Sequence, residues 1–113
     1  MQIIRDSISL EELKKMAENK FGNLVKAVVD VEQGIMAVGG ELHADEEALL
    51  IENGSKPENL WGINLYPGSK KEELIEFDSI INLKPAQGNR TRGIDRPEIK
   101  EKIINIVNNL IKT

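Results

Sequence analysis

Leu24-Val25-Lys26-Ala27-Val28-Val29-Asp30-Val31 and Ile35-Met36-Ala37-Val38-Gly39-Gly40-Glu41-Leu42, joined across Gln33-Gly34, form the stretch on which the fold turns. Both runs are rich in residues that suit an extended, half-buried backbone, and Gly34 supplies the positive φ that a tight turn wants. The pair predicts a β-hairpin. With Gln33 and Gly34 as a two-residue loop, Lys26 lies opposite Glu41 and Leu24 opposite His43. An opposite-charge cross-strand pair adds about 0.2–1 kcal/mol, which favours this register. Gly39-Gly40 inside the second run predicts a bulge or a close backbone approach.

Upstream, residues 2–5 read as an edge strand, and a helix follows. Ser9 and Glu12 have capping-box spacing, Ile8 and Leu13 stand where a hydrophobic staple packs, and Gly22 is placed to end the helix. Leu10, Leu13, Met16, Ala17 and Phe21 recur at helical spacing. Downstream, residues 45–53 predict a short helix capped by Asp45 and closed by Gly54, with a continued strand through Leu49 to Ile51 as the alternative. Leu60 to Tyr66 predicts a third strand and Ile75 to Leu83 a fourth, with a charged turn over 69–73 between them. A last helix spans about Pro97 to Ile111, with Asp95 and Glu98 as capping residues and Ile99, Ile103, Ile106, Val107 and Leu110 on one face. The expected fold is α+β: a mainly antiparallel sheet of four or five strands, covered on one face by two long helices and one short helix, in a single domain over residues 1–113.

Composition narrows the function classes. The 113 residues carry 15 basic and 19 acidic side chains, a net charge of −4 that counts against non-specific nucleic-acid binding. No cysteine is present, so disulfides, thiolate catalysis and thiolate metal sites are excluded. No apolar run approaches the roughly 20 residues that span a bilayer, and the first residues lack a signal-peptide pattern. The expectation is a cytoplasmic protein without a membrane anchor.

Three constellations carry candidate chemistry. In an extended strand Glu41, His43 and Asp45 point to one face, and an imidazole with two carboxylates could hold a divalent metal or run acid–base chemistry. The plainer alternative pairs Glu41 with Lys26 and has Asp45 cap a helix. The segment Gln87-Gly88-Asn89-Arg90-Thr91-Arg92-Gly93 combines two arginines, a hydroxyl and backbone N–H groups that could hold a phosphate or carboxylate. Alternatively its arginines pair with Asp78 or Asp95. In the third and fourth strands Trp61, Ile63 and Leu65, and Ile75, Phe77, Ile81 and Leu83, form core faces, leaving Asn64, Tyr66, Glu76, Asp78, Asn82 and Lys84 on a polar second face. Asn64, Asp78, Asn82 and Lys84 could floor a binding site with Asn89, Arg90 and Arg92 at its edge; a hydrated face or a homodimer contact are the alternatives.

Gly40-Glu41-Leu42-His43-Ala44-Asp45, Glu52-Asn53-Gly54-Ser55, Leu60-Trp61-Gly62-Ile63-Asn64-Leu65-Tyr66-Pro67 and Glu76-Phe77-Asp78-Ser79-Ile80-Ile81-Asn82-Leu83 together resemble a small prokaryotic family, a domain of unknown function. The resemblance runs from Ile3 to Leu110 and implies a stand-alone single-domain protein, with no activity, ligand or catalytic residue attached. The chemistry favours a small binding domain that uses a polar sheet face and an Arg-containing loop to hold an anionic ligand or a protein partner. The alternative is a metal-assisted hydrolase acting on a phosphate-containing substrate, with Glu41, His43 and Asp45 on the metal and Arg90 and Arg92 on the developing charge.

Overall fold

The computed structural model describes residues 1–113. In chain order the elements are β1 (Gln2–Ile4), β2 (Ile8–Ser9), α1 (Leu10–Lys20), β3 (Val25–Asp30), β4 (Ile35–Val38), α2 (His43–Glu52), β5 (Leu60–Leu65), β6 (Ile75–Glu76), α3 (Pro97–Leu110) and β7 (Ile111–Lys112). Five strands build one antiparallel sheet in the order β1-β4-β3-β5-β6, while β2 and β7 form a small parallel pair of their own. That pair ties the start of α1 to the end of α3 through Ile8 opposite Ile111. The α+β architecture is the one the sequence predicts, and the sheet has five strands with three helices packed on it.

The local signals explain most elements. Ser9 Oγ accepts the Glu12 N–H at 3.0 Å, so the expected N-cap of α1 is present. Gly22, at φ +91°, closes that helix with its N–H on the Ala17 carbonyl. Residues 43–52 are helical, as the first of the two readings expects, although α2 starts at His43 and Asp45 lies in its first turn instead of capping it. Residue Arg96, not Asp95, occupies the N-cap position of α3.

Helices α1 and α3 cover one face of the sheet. Leu13, Ala17, Ile99, Ile103, Val107 and Leu110 pack there against Val25, Ala27, Val29, Met36, Val38, Trp61, Ile63 and Leu65. Side chains alternate along a strand, so Val28 and Ala37 point the other way, and there they meet Leu50 of α2, with Ile35 and Leu60. The short helix therefore lies on the opposite face from the two long ones, which corrects the expectation that all three cover one face: its Leu50 packs on Val28 and Ala37, the small apolar side chains that β3 and β4 turn away from α1 and α3. Each leucine-sized side chain so buried contributes about 1.5–3 kcal/mol, enough for both layers to hold the sheet. Coverage on both faces is also why β3, β4 and β5 read as nearly unbroken apolar runs.

Two strand expectations are corrected. The β3–β4 connection is a four-residue loop, 31–34, and the pairing sets Asp30 opposite Ile35. The Asp30 carboxylate accepts the N–H groups of Glu32 at 2.9 Å and Gln33 at 3.0 Å, which stabilises the wider loop over a two-residue turn. β4 ends at Val38, where Gly39 turns the chain at φ +84°, so Lys26 has no partner in Glu41, which instead lies 3.9 Å from Lys20. The fourth strand is likewise cut to Ile75–Glu76, and Ile80–Asn82 is a single 3₁₀ turn capped by Ser79. As the last residue of that turn, Asn82 takes the place of a strand through its side chain: its carboxamide bonds both the N–H and the carbonyl of Gly62.

Candidate functional site

The polar face that the alternation of β5 predicts is partly covered by α2. Where α2 covers it, the strands present Val28 and Ala37. Beyond the helix, Lys26 of β3, Asn64 of β5 and Glu76 of β6 stand in one row, with Lys26 opposite Asn64 and Asn64 opposite Glu76. Asn64 Nδ2 donates to Glu76 Oε1 at 2.9 Å, and the Tyr66 hydroxyl donates to the same oxygen at 3.0 Å. The other amide atom, Asn64 Oδ1, is buried and has no hydrogen-bond partner.

His43 and Arg92 close the row. As the first residue of α2, His43 reaches the sheet and its Nε2 lies 2.8 Å from the carbonyl of Ile63. A nitrogen facing a carbonyl must carry the proton, so Nδ1 is the acceptor nitrogen of a neutral ring. Burial holds the imidazole below its ordinary pKa, the Ile63 bond and Asp78 oppose that, and Lys26 and Arg92 reinforce it. Arg92 donates through Nε to Asp78 Oδ1 at 2.7 Å, which leaves the two Nη groups of the guanidinium outside that bond. Lys26 Nζ makes no ion pair and sits 5.1 Å from the centre of the Phe21 ring. It borders a cleft of about 590 Å³ shared with Asn19, Lys20, Phe21, Glu41 and Leu42.

The loop that carries Arg92 has almost no regular structure, yet it is held firmly. Asn82, fully buried, donates to the carbonyls of Gly62 and Arg92, both at 2.9 Å. Asn89 donates to the carbonyls of Asn82 and Gly93 and accepts the Asp95 N–H at 2.7 Å. Asp95 in turn accepts the Arg90 N–H and the Thr91 hydroxyl, and these two bonds pull its carboxyl below the usual range. The side chain of Arg90 is exposed and joins no ion pair.

Of the residues singled out in the sequence, His43, Asn64, Asp78 and Arg92 come together in this cluster. Asn82 and Asn89 are interior struts, and Lys84 is occupied by the Pro57 carbonyl at 2.8 Å and the Trp61 ring at 5.3 Å. The grouping of Glu41, His43 and Asp45 on one extended face does not form, because residues 43 and 45 are in a helix. Glu41 and Asp45 share a cleft of about 410 Å³ with Lys20 and Glu52, while His43 faces Ile63. No group of three or more His, Cys, Asp or Glu side chains is arranged to hold a metal ion. Tyr66 and Glu76 lie on the polar face that the alternation predicts, without being among the predicted ligand-binding residues, and Lys26 is the addition; its signal in the sequence is a lone charge in a run of buried valines.

The same chain matches a family model described as Protein of unknown function (DUF5674) over residues 2–110. The chain belongs to this family. No curated protein and no solved structure matches it. The family description carries no activity, so the DUF5674 fold is read from its own chemistry. No helix is long and apolar enough to cross a membrane.

Proposed function

We propose that the protein is a small binding domain whose site is the open end of the sheet between the start of α2 and the 78–95 loop, and whose ligand is a small anion or an anionic group on a partner. One observation carries the reading. Lys26 makes no ion pair and Arg92 uses only Nε on Asp78, so two cations of the cluster still have donors to offer beside the buried, unpaired Oδ1 of Asn64 and the carboxylates of Glu76 and Asp78. A buried acceptor left unpaired costs about 1–3 kcal/mol, and only an anion that carries an O–H beside its charge, such as hydrogen phosphate, recovers that cost, so phosphate should shift the protein more than succinate. On the adjacent cleft Lys20 is paired with Glu41, which leaves Lys26 as its unpaired cation. The buried asparagines hold the loop in place before any ligand arrives, which reduces the ordering cost of binding.

The test is a thermal-shift titration with inorganic phosphate and with succinate, carried out on the parent protein and on Lys26→Ala, Arg92→Ala and Lys84→Ala. A ligand at 100 times its Kd stabilises by about 2.7 kcal/mol. The shift is expected for the parent and for Lys84→Ala and is lost in the other two. Equal shifts in all four proteins, or none with either anion, would remove the site from this reading.

A further inference from the structure

Asn53 is the one asparagine of the chain that precedes a glycine. It is the C-cap residue of α2, outside the helical φ/ψ range at −101° and 19°, and it is exposed together with Gly54. Its Nδ2 donates to the Leu49 carbonyl at 2.8 Å, and the Gly54 N–H donates to the Ile51 carbonyl at 3.1 Å. Both bonds belong to the last turn of a helix end, the part of a helix that frays first. Gly54 has φ +99°, and a Cβ built on it would meet nothing within 4 Å, so this side of the glycine is open to solvent.

We infer that Asn53-Gly54 is a site of spontaneous deamidation, which converts Asn53 into a mixture of aspartate and isoaspartate. The Gly54 amide nitrogen loses its proton to solvent base and attacks Cγ of Asn53. A C–N bond forms, the bond from Cγ to Nδ2 breaks, and Nδ2 leaves as ammonia after taking a proton from water. The five-membered imide is then opened by water at one of its two carbonyls. Opening at Cγ yields aspartate, and opening at the main-chain carbonyl yields isoaspartate. One ammonia leaves and one water enters, with no oxidant or cofactor involved. Glycine suits the attacking position because it lacks a Cβ that would crowd the approach.

Either product acts on α2. The donor to Leu49 is lost, and a negative charge replaces it at the negative end of a helix whose last turn has no basic residue. Ser55, two residues on, donates from its hydroxyl to Asp30 at 2.7 Å, so the change sits beside the contact that fastens this end of α2 to the β3–β4 loop. The buried asparagines differ on both counts: Asn64, Asn82 and Asn89 are enclosed and none is followed by glycine.

The experiment incubates the folded full-length protein in mildly alkaline buffer beside the same chain unfolded in urea. Peptide mass and isoaspartate are followed at residue 53. Because the attack needs the bonds to Leu49 and Ile51 opened while Leu50 and Ser55 stay buried, the folded protein is expected to convert Asn53 more slowly than the unfolded chain but within roughly a hundredfold of it. The variant Asn53→Gln, whose longer side chain cannot form the five-membered imide, is expected to keep its mass at this position. The inference is overturned if the unfolded chain converts Asn53 while the folded protein does not. It is equally overturned if conversion in the folded protein falls on other asparagines and Asn53→Gln gains mass at the parent's rate.

Discussion

The carboxamide of Asn82 lies against the peptide of Gly62, accepting its N–H at 2.8 Å and donating to its carbonyl at 2.9 Å. An asparagine side chain has the donor and acceptor of a peptide group, so Asn82 continues the sheet past the point where β6 stops. Gly62 makes this possible, because a Cβ there would stand 2.6 Å from Cβ and Oγ of Ser79. Replacing Asn82 by Ala strands two buried backbone groups of Gly62, at about 1–3 kcal/mol each, and urea unfolding should show a loss of about 2–6 kcal/mol. Asn82→Asp should fall in the same range, since a carboxylate cannot donate to the carbonyls of Gly62 and Arg92. A loss below about 1 kcal/mol in both variants would mean that this pairing is dispensable.

Gly62→Ala tests the other half of the contact. Overpacking of this kind costs about 1–3 kcal/mol, and removal of the facing side chain in Gly62→Ala plus Ser79→Gly should return part of it. Additive losses in the double variant would show that the strain lies elsewhere than against Ser79.

These contacts also mark the limit of what the sequence discloses. The cap at Ser9, the stop at Gly22 and the apolar stripe of α3 depend on neighbours within a few residues, so local pattern reveals them. The alternation of Trp61, Ile63 and Leu65 against Asn64 likewise identifies the two faces of β5. Asn82, in contrast, bonds a residue 20 positions away, and nothing in its neighbourhood says that its side chain will stand in for a strand. The β3–β4 register escaped for a related reason: Asp30 widens the loop through its side chain, and that choice outweighs the expected charge pair of Lys26 with Glu41. Lys26 faces Asn64 through the separate pairing of β3 with β5, which joins residues 38 positions apart and brings two sequence motifs into one cluster.

Asp30 itself is 1% exposed and receives four donors: the N–H groups of Glu32 and Gln33, Gln33 Nε2 at 2.8 Å and Ser55 Oγ at 2.7 Å. Burial pushes its carboxyl up, but the bonds from Ser55, Gln33 and Glu32 together outweigh burial and leave it below its ordinary 3.8. With the folded pKa depressed, the stabilisation is present above 3.8 and is lost as the pH falls through the lower folded value. Asp30→Asn keeps the shape but loses the charge, and should cost about 1.5–3 kcal/mol at neutral pH. Chemical denaturation at several pH values checks this: the gap between variant and parent must narrow in strong acid. A constant gap would assign the loss to geometry instead of charge.

The Arg92–Asp78 pair is expected to matter little for stability. Its side chains are 55% and 45% exposed, and pairs that open to water contribute about 0–1 kcal/mol. Asp78→Asn should therefore leave the urea midpoint nearly unchanged, while freeing the guanidinium and tightening any anion bound at the sheet end. Unfolding by more than about 2 kcal/mol in this variant would show that the pair is structural.

Glu46 provides the sharpest pH signature. It is fully buried in α2, Oε2 accepts the Gly40 N–H at 3.0 Å, and Oε1 has no partner. Burial raises its pKa from 4.5 to about 9, against the opposing pull of the Gly40 bond and of Lys26. The carboxyl is therefore protonated in the folded protein at neutral pH and ionised in the unfolded chain. An acid whose folded pKa is raised binds more protons folded than unfolded, so it lowers stability as the pH rises from 4.5 towards 9, by up to about 1.4 kcal/mol per unit. His43 tilts the other way, because its neutral ring loses stability as the pH falls below 6.5. Glu46→Gln isolates the first effect. The amide still accepts from Gly40 and carries no charge at any pH, and the cost of its own unpaired N–H groups is independent of pH. Relative to the parent, the variant should gain stability steadily as the pH is raised above 4.5, and the difference between them should be flat below it. Parallel stability curves for the two proteins from acid to alkaline pH would show that Glu46 titrates as an ordinary solvated carboxylate and that its burial carries no electrostatic cost.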